Sequence, residues 1–121
     1  MAMTSRPGAL VHLELHTPTL AGARAFCAQL CDWREEEVRR GERSYLALDL
    51  APALGGGIVQ CPVRRPLWLP YIEVQDARTA TERACALGAE VLLAPREGPA
   101  GWRSVVASPA AGELGLWQPK P

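Results

Sequence analysis

The chain has 121 residues, which is enough for one domain with its own hydrophobic core and short for two ordinary ones. Hydrophobic residues make up 48% of the sequence, charged residues 21%, and the formal net charge is zero. This balance is typical of a globular protein, and without a basic or acidic block it argues against nucleic acid as a partner. No apolar run is long enough to span a membrane, and the N-terminus lacks the apolar core of a signal peptide. We therefore expect a cytoplasmic protein whose four cysteines are reduced.

The first predicted element is a strand with the sequence ALVHLELHT, residues 9–17. His12, Glu14 and His16 alternate with two leucines, so a strand places an imidazole–carboxylate–imidazole row on one face and leucine on the other. The polar row fits a metal site, an acid–base site or the solvated side of a sheet. Glu14 between two histidines would hold one imidazole in a fixed tautomer, as general acid–base catalysis requires.

An Ala-rich amphipathic helix follows, with Thr19 as its predicted N-cap. One face collects its apolar side chains, and we expect that face to be buried: Leu20, Ala23, Phe26, Cys27 and Leu30. Three short strand-like runs come next, around residues 34–39, 44–50 and 57–61. Three consecutive glycines precede the last run. No phosphate-loop motif accompanies them, so we interpret them as a bulge or a tight loop.

The second half of the chain repeats this order. With a shift of 57 residues, His12 aligns with Leu69, Glu14 with Tyr71 and His16 with Glu73. Asp76 aligns with Thr19 and is the predicted N-cap of a second helix, whose apolar face has Ala77, Ala80, Ala84 and Leu87. Further strand-like runs lie around residues 90–94, 103–107 and 113–118. The sequence thus predicts an α+β fold of two βαβββ modules, about residues 9–63 and 67–119, packed as a single domain.

This repeat, together with FCAQLCDW after the first helix and SPAAGELGLWQP near the end, resembles the vicinal oxygen chelate superfamily, which contains glyoxalases, bleomycin-resistance proteins and extradiol dioxygenases. The resemblance covers about residues 8–119. It implies that the strands curl into a cupped, partly open mixed barrel with the helices on the convex side. It also implies a ligand, usually with a divalent metal, on the concave side, and a homodimer.

In metal-dependent members of this superfamily, the first and fourth strands of each module supply one ligand each. By position, the resemblance assigns these places to His12, to Val59 or Gln60, to Leu69 and to Gly115. At most two of these residues carry a donor atom, whereas a catalytic metal needs about three protein ligands. We therefore predict no metal cofactor. The alternatives are a divalent ion near His12 or a site shifted to both histidines and Glu73.

Strand alternation and the resemblance together name the candidate site residues on the concave side. His16, Glu14 and Glu73 are the candidates for proton transfer, with Glu73 expected opposite His16. Trp68 is expected at the mouth of the cup, and Trp102 in a Gly/Pro-rich loop over it. The full set of predicted ligand contacts is His12, Tyr71, Trp117, Trp68, Trp102, Tyr45 and Glu113.

An aromatic cup with a few polar groups is typical of a small-molecule pocket. The sequence therefore predicts metal-independent binding of an organic small molecule, as in bleomycin-type antibiotic resistance. The alternative is an enzyme, either a metal-independent isomerase or cyclase, or a glyoxalase-like lyase or dioxygenase with a shifted metal. A third possibility is a collapsed cup in a dimeric partner or regulatory module. The expected partners are a small molecule and a second copy of the chain, with neither nucleic acid nor membrane.

Overall fold

A computed structural model describes residues 8–40 and 43–121 of the chain. Its helices and strands follow the βαβββ order twice, as predicted. The first set is β1 (Leu10–Thr17), α1 (Leu20–Cys31), β2 (Arg34–Arg40), β3 (Arg43–Ala51) and β4 (Leu54–Gln60). The second set is β5 (Leu67–Glu73), α2 (Ala77–Ala86), β6 (Glu90–Glu97), β7 (Gly101–Ser108) and β8 (Gly112–Pro119).

The chain divides into two compact units. The first unit is His12–Leu69, and its strands follow the order β2–β3–β4–β1. Strand β4 pairs with β1 in parallel and with β3 antiparallel, which is the arrangement that a crossover helix between strands requires. Helix α1 covers one face of these strands, over a core formed by Leu15, Cys27, Leu46, Leu48 and Ile58.

Helix α1 buries less of its apolar stripe than the sequence predicts. Cys27 is buried, and Leu20 and Ala23 pack against the core in part, whereas Phe26 and Leu30 are 65% and 69% exposed. Successive residues of a helix are about 100° apart around its axis, so Phe26 lies one step outside the stripe that Cys27 centres. The prediction was wrong for Phe26 and Leu30.

The start of each helix is held by a glutamine from the fourth strand of its unit. Gln60 Oε1 accepts a hydrogen bond of 3.0 Å from the backbone N–H of Leu20, and the Thr19 side chain makes no capping bond. Gln118 Oε1 in the second unit accepts one of 2.8 Å from the N–H of Ala77. Thr19 thus occupies the predicted N-cap position of α1, but its side chain does not supply the capping hydrogen bond.

The predicted cap of the second helix is confirmed, because the Asp76 carboxylate accepts a hydrogen bond of 2.8 Å from the N–H of Thr79. This backbone hydrogen bond lowers the pKa of Asp76. An aspartate that accepts such a bond satisfies one of the free N–H groups of the first helical turn.

The second unit comprises residues 8–11 and 70–121, with strands in the order β5–β8–β7–β6. Strand β8 pairs with β5 in parallel and with β7 antiparallel. Thr81 of α2 donates a hydrogen bond of 2.6 Å to the carbonyl of Ala77, and its hydroxyl is 2.7 Å from that of Ser104 on β7. These buried hydroxyls fix the face of α2 that packs against its sheet.

The three consecutive glycines lie inside β4 and not in a loop, and the β3–β4 register shifts between Asp49 and Ala51 opposite them, which agrees with the predicted bulge. A Cβ at Gly56 would lie 2.6 Å from Cδ1 of Leu50 and 3.0 Å from the carbonyl oxygen of Leu13. The close approach of these neighbours leaves no space for a side chain on the helix-covered face. Glycine destabilises a strand because it loses more conformational entropy on folding, but it keeps both backbone hydrogen-bonding groups. Strand β4 therefore stays paired.

Two further features concern the helices and the cysteines. None of the helices in residues 8–40 and 43–121 is long and apolar enough to cross a membrane. All four cysteines lie in these ranges and are free, and burial raises the pKa of the Cys27 thiol.

Candidate functional site

The polar row of β1 is assembled in the first unit. Oε1 of Glu14 lies 2.7 Å from Nε2 of His16, and Oε2 lies 3.6 Å from Nε2 of His12. The Glu14 side chain is only 18% exposed. Leu15 points the other way, into the core under α1. The structure therefore places these three residues together on one face, as strand alternation predicts.

Glu14 carries a fixed negative charge in this row. Burial alone would raise its pKa, but hydrogen bonds from His12 and His16, and the charges of their rings, lower it by more, so that the pKa of Glu14 falls below its usual value. A general base works best with a pKa near the working pH. The lowered pKa therefore favours a role for Glu14 in holding the imidazoles, and not in accepting a proton.

Strand β4 places two glycines beside this row, of which Gly55 is exposed and Gly57 is buried. His12 pairs with Gly55 and Glu14 with Gly57 in the β1–β4 ladder. A Cβ at Gly55 would lie 3.4 Å from Nδ1 of His12, and one at Gly57 would lie 3.7 Å from Cδ2 of Tyr45 and 4.0 Å from Nε2 of His12. The two glycines thus lie between the polar row and Tyr45, and we call them the glycine floor. Glycine inside a strand often marks a place where a ligand approaches the backbone.

A cavity of about 330 Å³ lies against the neighbouring strands β2 and β3. The β3–β4 ladder pairs Asp49 with Gly55 and Ala47 with Gly57, so β3 continues the same face. This volume is at the lower end of the range of small-molecule pockets, about 300–1,000 Å³. The residues that line the cavity are Arg34, Glu35, Glu36, Ala47, Leu48 and Asp49.

Arg34 and Glu36 were not among the predicted site residues. They pair with Asp49 and Ala47 in the β2–β3 ladder, which places them on the face of the glycine floor. Alternation along β2 puts Arg34 and Glu36 on one face, but it does not show which face that is. The register with β3 was needed to see that two of its charges line a cavity.

The second unit presents an aromatic and basic face. Tyr71 is 4% exposed, and Nη1 of Arg103 donates a hydrogen bond of 3.3 Å to its hydroxyl. Trp117 lies directly opposite Arg103 in the β7–β8 ladder. The structure thus brings the predicted residues Tyr71 and Trp117 onto a face with Arg103, which the sequence interpretation missed. Arg103 and Val105 are two residues apart on β7 and therefore share a face, and Val105 pairs with Gly115 on the face of Trp117. Strand alternation could therefore have identified Arg103.

The two predicted carboxylates of the second unit lie on the strands that carry these aromatic residues. Glu73 pairs with Trp117 in the β5–β8 ladder and is half-buried. Glu113 is exposed and pairs with Ala107 across β7–β8. The predicted approach of Glu73 to His16 joins residues of different units and stays a prediction.

Two predicted ligand contacts lie elsewhere. The Trp68 indole is edge-on to that of Trp33, with ring centroids 6.2 Å apart, and Trp33 packs on the core under α1. Trp102 lies within β7 and not in a loop, because β7 already begins at Gly101. It alternates onto the face of Ser104, which contacts α2. The loop prediction for Trp102 was therefore wrong.

The residues at the implied metal positions do not fit a divalent ion. Gln60 binds the start of α1, which leaves Val59 on the face of Glu14 and settles the register of the fourth strand. Val59, Leu69 and Gly115 have no donor atom in their side chains. In the part of the chain that the structure describes, no three His, Cys, Asp or Glu side chains form a group that could hold a metal. We therefore derive no chemistry from a metal here.

The architecture of the two units is that of the vicinal oxygen chelate fold, which confirms the predicted fold class. No family model and no curated protein matches the sequence. Methylmalonyl-CoA epimerase from Mycobacterium tuberculosis has a similar structure, with a TM-score of 0.68 over 100% of this chain and 94% of that chain at 16% identity. A hypothetical protein from Bacillus halodurans matches with a TM-score of 0.73 over 96% and 97% of the two chains at 9% identity.

A third similar structure is a mutant of 4-hydroxymandelate synthase from Streptomyces coelicolor. Its TM-score is 0.68 at 18% identity, over 95% of this chain. The match covers 42% of the synthase, so this chain spans less than half of that protein's length. At these identities the likenesses establish the fold, and the function has to be argued from the site.

Proposed function

We propose that the chain binds an organic small molecule on the polar face of its first unit, without a catalytic metal. The observation that carries the proposal is the glycine floor, Gly55 and Gly57, between the polar row of β1 and Tyr45. A strand that faced only solvent would not need two glycines beside a buried carboxylate, since glycine weakens a strand. Glycines at these positions would allow a ligand to contact the backbone of β4 directly.

The arrangement of the floor indicates the shape and polarity of the ligand. Strands β1 and β3 flank β4, so the walls stand about 9.5 Å apart, which is two inter-strand spacings. A flat organic group fits this width. His12 and Tyr45 offer polar contacts at the floor, and Arg34 and Asp49 offer charged ones in the adjoining cavity.

Proteins of the same fold are known to hold organic ligands. One methylmalonyl-CoA epimerase structure, with a TM-score of 0.66 and 13% identity to this chain, is a complex with methylmalonyl-CoA. That likeness supports small-molecule binding in general and names no ligand for this chain. Binding of an antibiotic in the bleomycin-resistance manner, a homodimer and a cytoplasmic location are the finer parts of the proposal. The first two rest on the sequence resemblance, and the location rests on the composition and the N-terminal sequence.

The proposal can be tested with metal-free protein. After EDTA treatment, a panel of heteroaromatic alcohols, amides and acids is screened by saturation-transfer NMR, and the hits are titrated by calorimetry. Ala47→Leu places a larger side chain in the cavity, and we expect it to weaken binding about tenfold or more, since an inserted side chain displaces ligand atoms. Ala86→Leu, at an exposed position of α2, is the matched control and should leave the affinity unchanged.

Three outcomes would contradict the proposal. Binding that depends on an added divalent metal would show that the ligand set was misjudged. Hits that bind Ala47→Leu as tightly as the wild type would place the site elsewhere. A complete absence of hits would favour the alternative of a collapsed cup in a partner or regulatory module.

A second candidate function is proton transfer by His16, supported by the 2.7 Å hydrogen bond to Glu14. A carboxylate that orients an imidazole is the usual way to prepare a histidine base. The test is to incubate each NMR hit with the protein in D₂O and to follow the loss of a carbon-bound proton signal beside a carbonyl group. Exchange that is lost in His16→Gln and kept in Ala86→Leu would identify an enzyme, and the absence of exchange would leave binding alone.

A further inference from the structure

Two arginines of the second unit face each other without a neutralising partner. Arg96 on β6 and Arg103 on β7 are directly opposite in the antiparallel ladder. Side chains at such positions share a face, with Cβ atoms about 5 Å apart, and like charges there repel. In residues 8–40 and 43–121, neither guanidinium forms a salt bridge with a carboxylate.

The nearest acidic residues are engaged or placed elsewhere. Glu97, next to Arg96, alternates onto the other face of β6, and its carboxylate is 3.2 Å from Nζ of Lys120. Glu73 lies on β5, on the far side of Trp117 from Arg103. The arginine pair therefore keeps its full positive charge on this face.

One of the two guanidiniums is held in position. Nη1 of Arg103 donates to the hydroxyl of Tyr71, which is buried and packs against Gly115. A guanidinium has five N–H donors in a fixed planar fork, so one bond to Tyr71 leaves several donors for another acceptor. Arg103 is thus oriented in advance for binding.

An aromatic side chain lies next to the arginine pair. Trp117 is directly opposite Arg103 on β8, and its ring extends over Gly101, where a Cβ would lie 3.0 Å from Cζ2 and Cη2. Gly101 therefore lets the indole lie against the sheet. The indole is partly exposed and offers a flat apolar face next to the two positive charges.

We propose that Arg96, Arg103 and Trp117 form a binding site for an organic anion. A carboxylate or phosphate monoester group would bridge the two guanidiniums by charge-assisted hydrogen bonds, which arginine makes in pairs to such groups. The flat hydrocarbon part of the same ligand would lie on the indole of Trp117. The site lies within the second unit and does not depend on the function proposed for the first.

The test uses three ligands that share one ring and differ in charge: benzoate, phenyl phosphate and benzyl alcohol. Calorimetry should show binding of one or both anions and none of the neutral alcohol. The tighter anion identifies the head group, carboxylate or phosphate. Arg96→Gln should weaken anion binding about tenfold or more, the effect of losing one charge-assisted donor group. Arg83→Gln, an exposed arginine of α2 in the same unit, is the charge-matched control and should change nothing.

Arg96→Gln is the decisive variant, because Arg96 is exposed and its loss removes no bond in the fold, whereas Arg103→Gln also removes the bond to Tyr71. Trp117→Leu should weaken the binding of phenyl phosphate more than that of inorganic phosphate, since only phenyl phosphate has a ring that contacts the indole. Equal anion affinity in wild type and Arg96→Gln would overturn the proposal. So would equal weakening by Arg83→Gln, which would indicate general charge attraction, or the absence of anion binding at low millimolar concentration.

Discussion

The two units use the central glycine of their fourth strand in opposite ways. Gly57 in the first unit and Gly115 in the second pair with the middle residue of each polar face, Glu14 and Tyr71. At Gly115, a Cβ would lie 2.5 Å from Cε2 of Tyr71 and 2.7 Å from its Cγ. At Gly57, the nearest side-chain atom is 3.7 Å away. Gly115 packs directly under an aromatic ring, whereas Gly57 is buried without so close a side-chain contact.

This difference shows that equivalent strand positions carry a packed aromatic ring in one unit and a row of polar side chains in the other. Tyr71 fills the space over Gly115 and is buried, so the second unit gains apolar contact there. The first unit has a carboxylate at the equivalent position, held by two imidazoles, and the side-chain atom nearest to a Cβ at Gly57 is 3.7 Å away. Substitutions at the two glycines should therefore have unequal effects on stability.

Gly115→Ala should cause the largest loss of stability. The new methyl group would overlap the base of the Tyr71 ring, which is fixed in the packed sheet, and we expect the free energy of unfolding to fall by about 3 kcal/mol. Gly57→Ala meets only the Leu46 carbonyl oxygen at 3.3 Å, and should cost about 1 kcal/mol. Urea denaturation of the two variants measures both values.

The double variant Gly115→Ala/Tyr71→Leu is the control for this comparison. If the Tyr71 ring is the cause, removing it should make the alanine less costly than it is in the wild-type background. Equal losses at Gly57 and Gly115 would show that contact with the Tyr71 ring does not distinguish the two glycines.

Glu14→Gln should have the next largest effect, and its effect should depend on pH. The folded-state pKa of Glu14 is lowered, so its contribution is fully present above the pKa of the unfolded chain and is lost as the pH falls through the folded value. We expect the variant to be about 2 kcal/mol less stable at pH 7, the size of a hydrogen bond to a charged group. The difference from wild type should shrink as the pH is lowered from 7 to below 4.

Tyr71→Phe in the second unit provides the contrast to Glu14→Gln. It removes the bond from Arg103 but no carboxylate, so its cost should stay the same over that acid range. Thermal unfolding of wild type and both variants across pH tests this. A loss in Glu14→Gln that does not change with pH would mean that Glu14 contributes by packing and not by charge.

Features that depend on neighbouring residues in the chain could be predicted from the sequence. The order of elements followed from turn signals and periodicity. The common face of His12, Glu14 and His16 followed from alternation, because a strand fixes that face whatever its partners are. Asp76 was predicted as a cap for the same reason, since its partner Thr79 is three residues away.

Features that depend on distant partners were missed. Gln60 replaces Thr19 at the start of α1 across 40 residues of sequence, which no local pattern reveals. Trp102 was predicted at the site and Arg103 was missed. The register of β7 against β8 decides which of the two shares a face with Tyr71, and it is Arg103. The place of the glycines inside β4 could not be predicted, because the neighbours that exclude a side chain there, Leu50 and Leu13, come from other strands.

We expect the smallest effects at the two glutamines whose side chains accept a hydrogen bond from the first N–H group of each helix. Gln118 is half-buried and binds the N–H of Ala77 at 2.8 Å, whereas Gln60 is exposed and binds that of Leu20 at 3.0 Å. We expect Gln118→Leu to cost about 1.5 kcal/mol and Gln60→Leu about 0.5 kcal/mol, because water can replace the lost acceptor only at the exposed site. Urea denaturation measures both losses, and Gln118→Glu, which keeps an acceptor oxygen, should recover most of the first. If Gln60→Leu proved the more costly, the absence of a capping side chain at Thr19 would outweigh burial at Gln118.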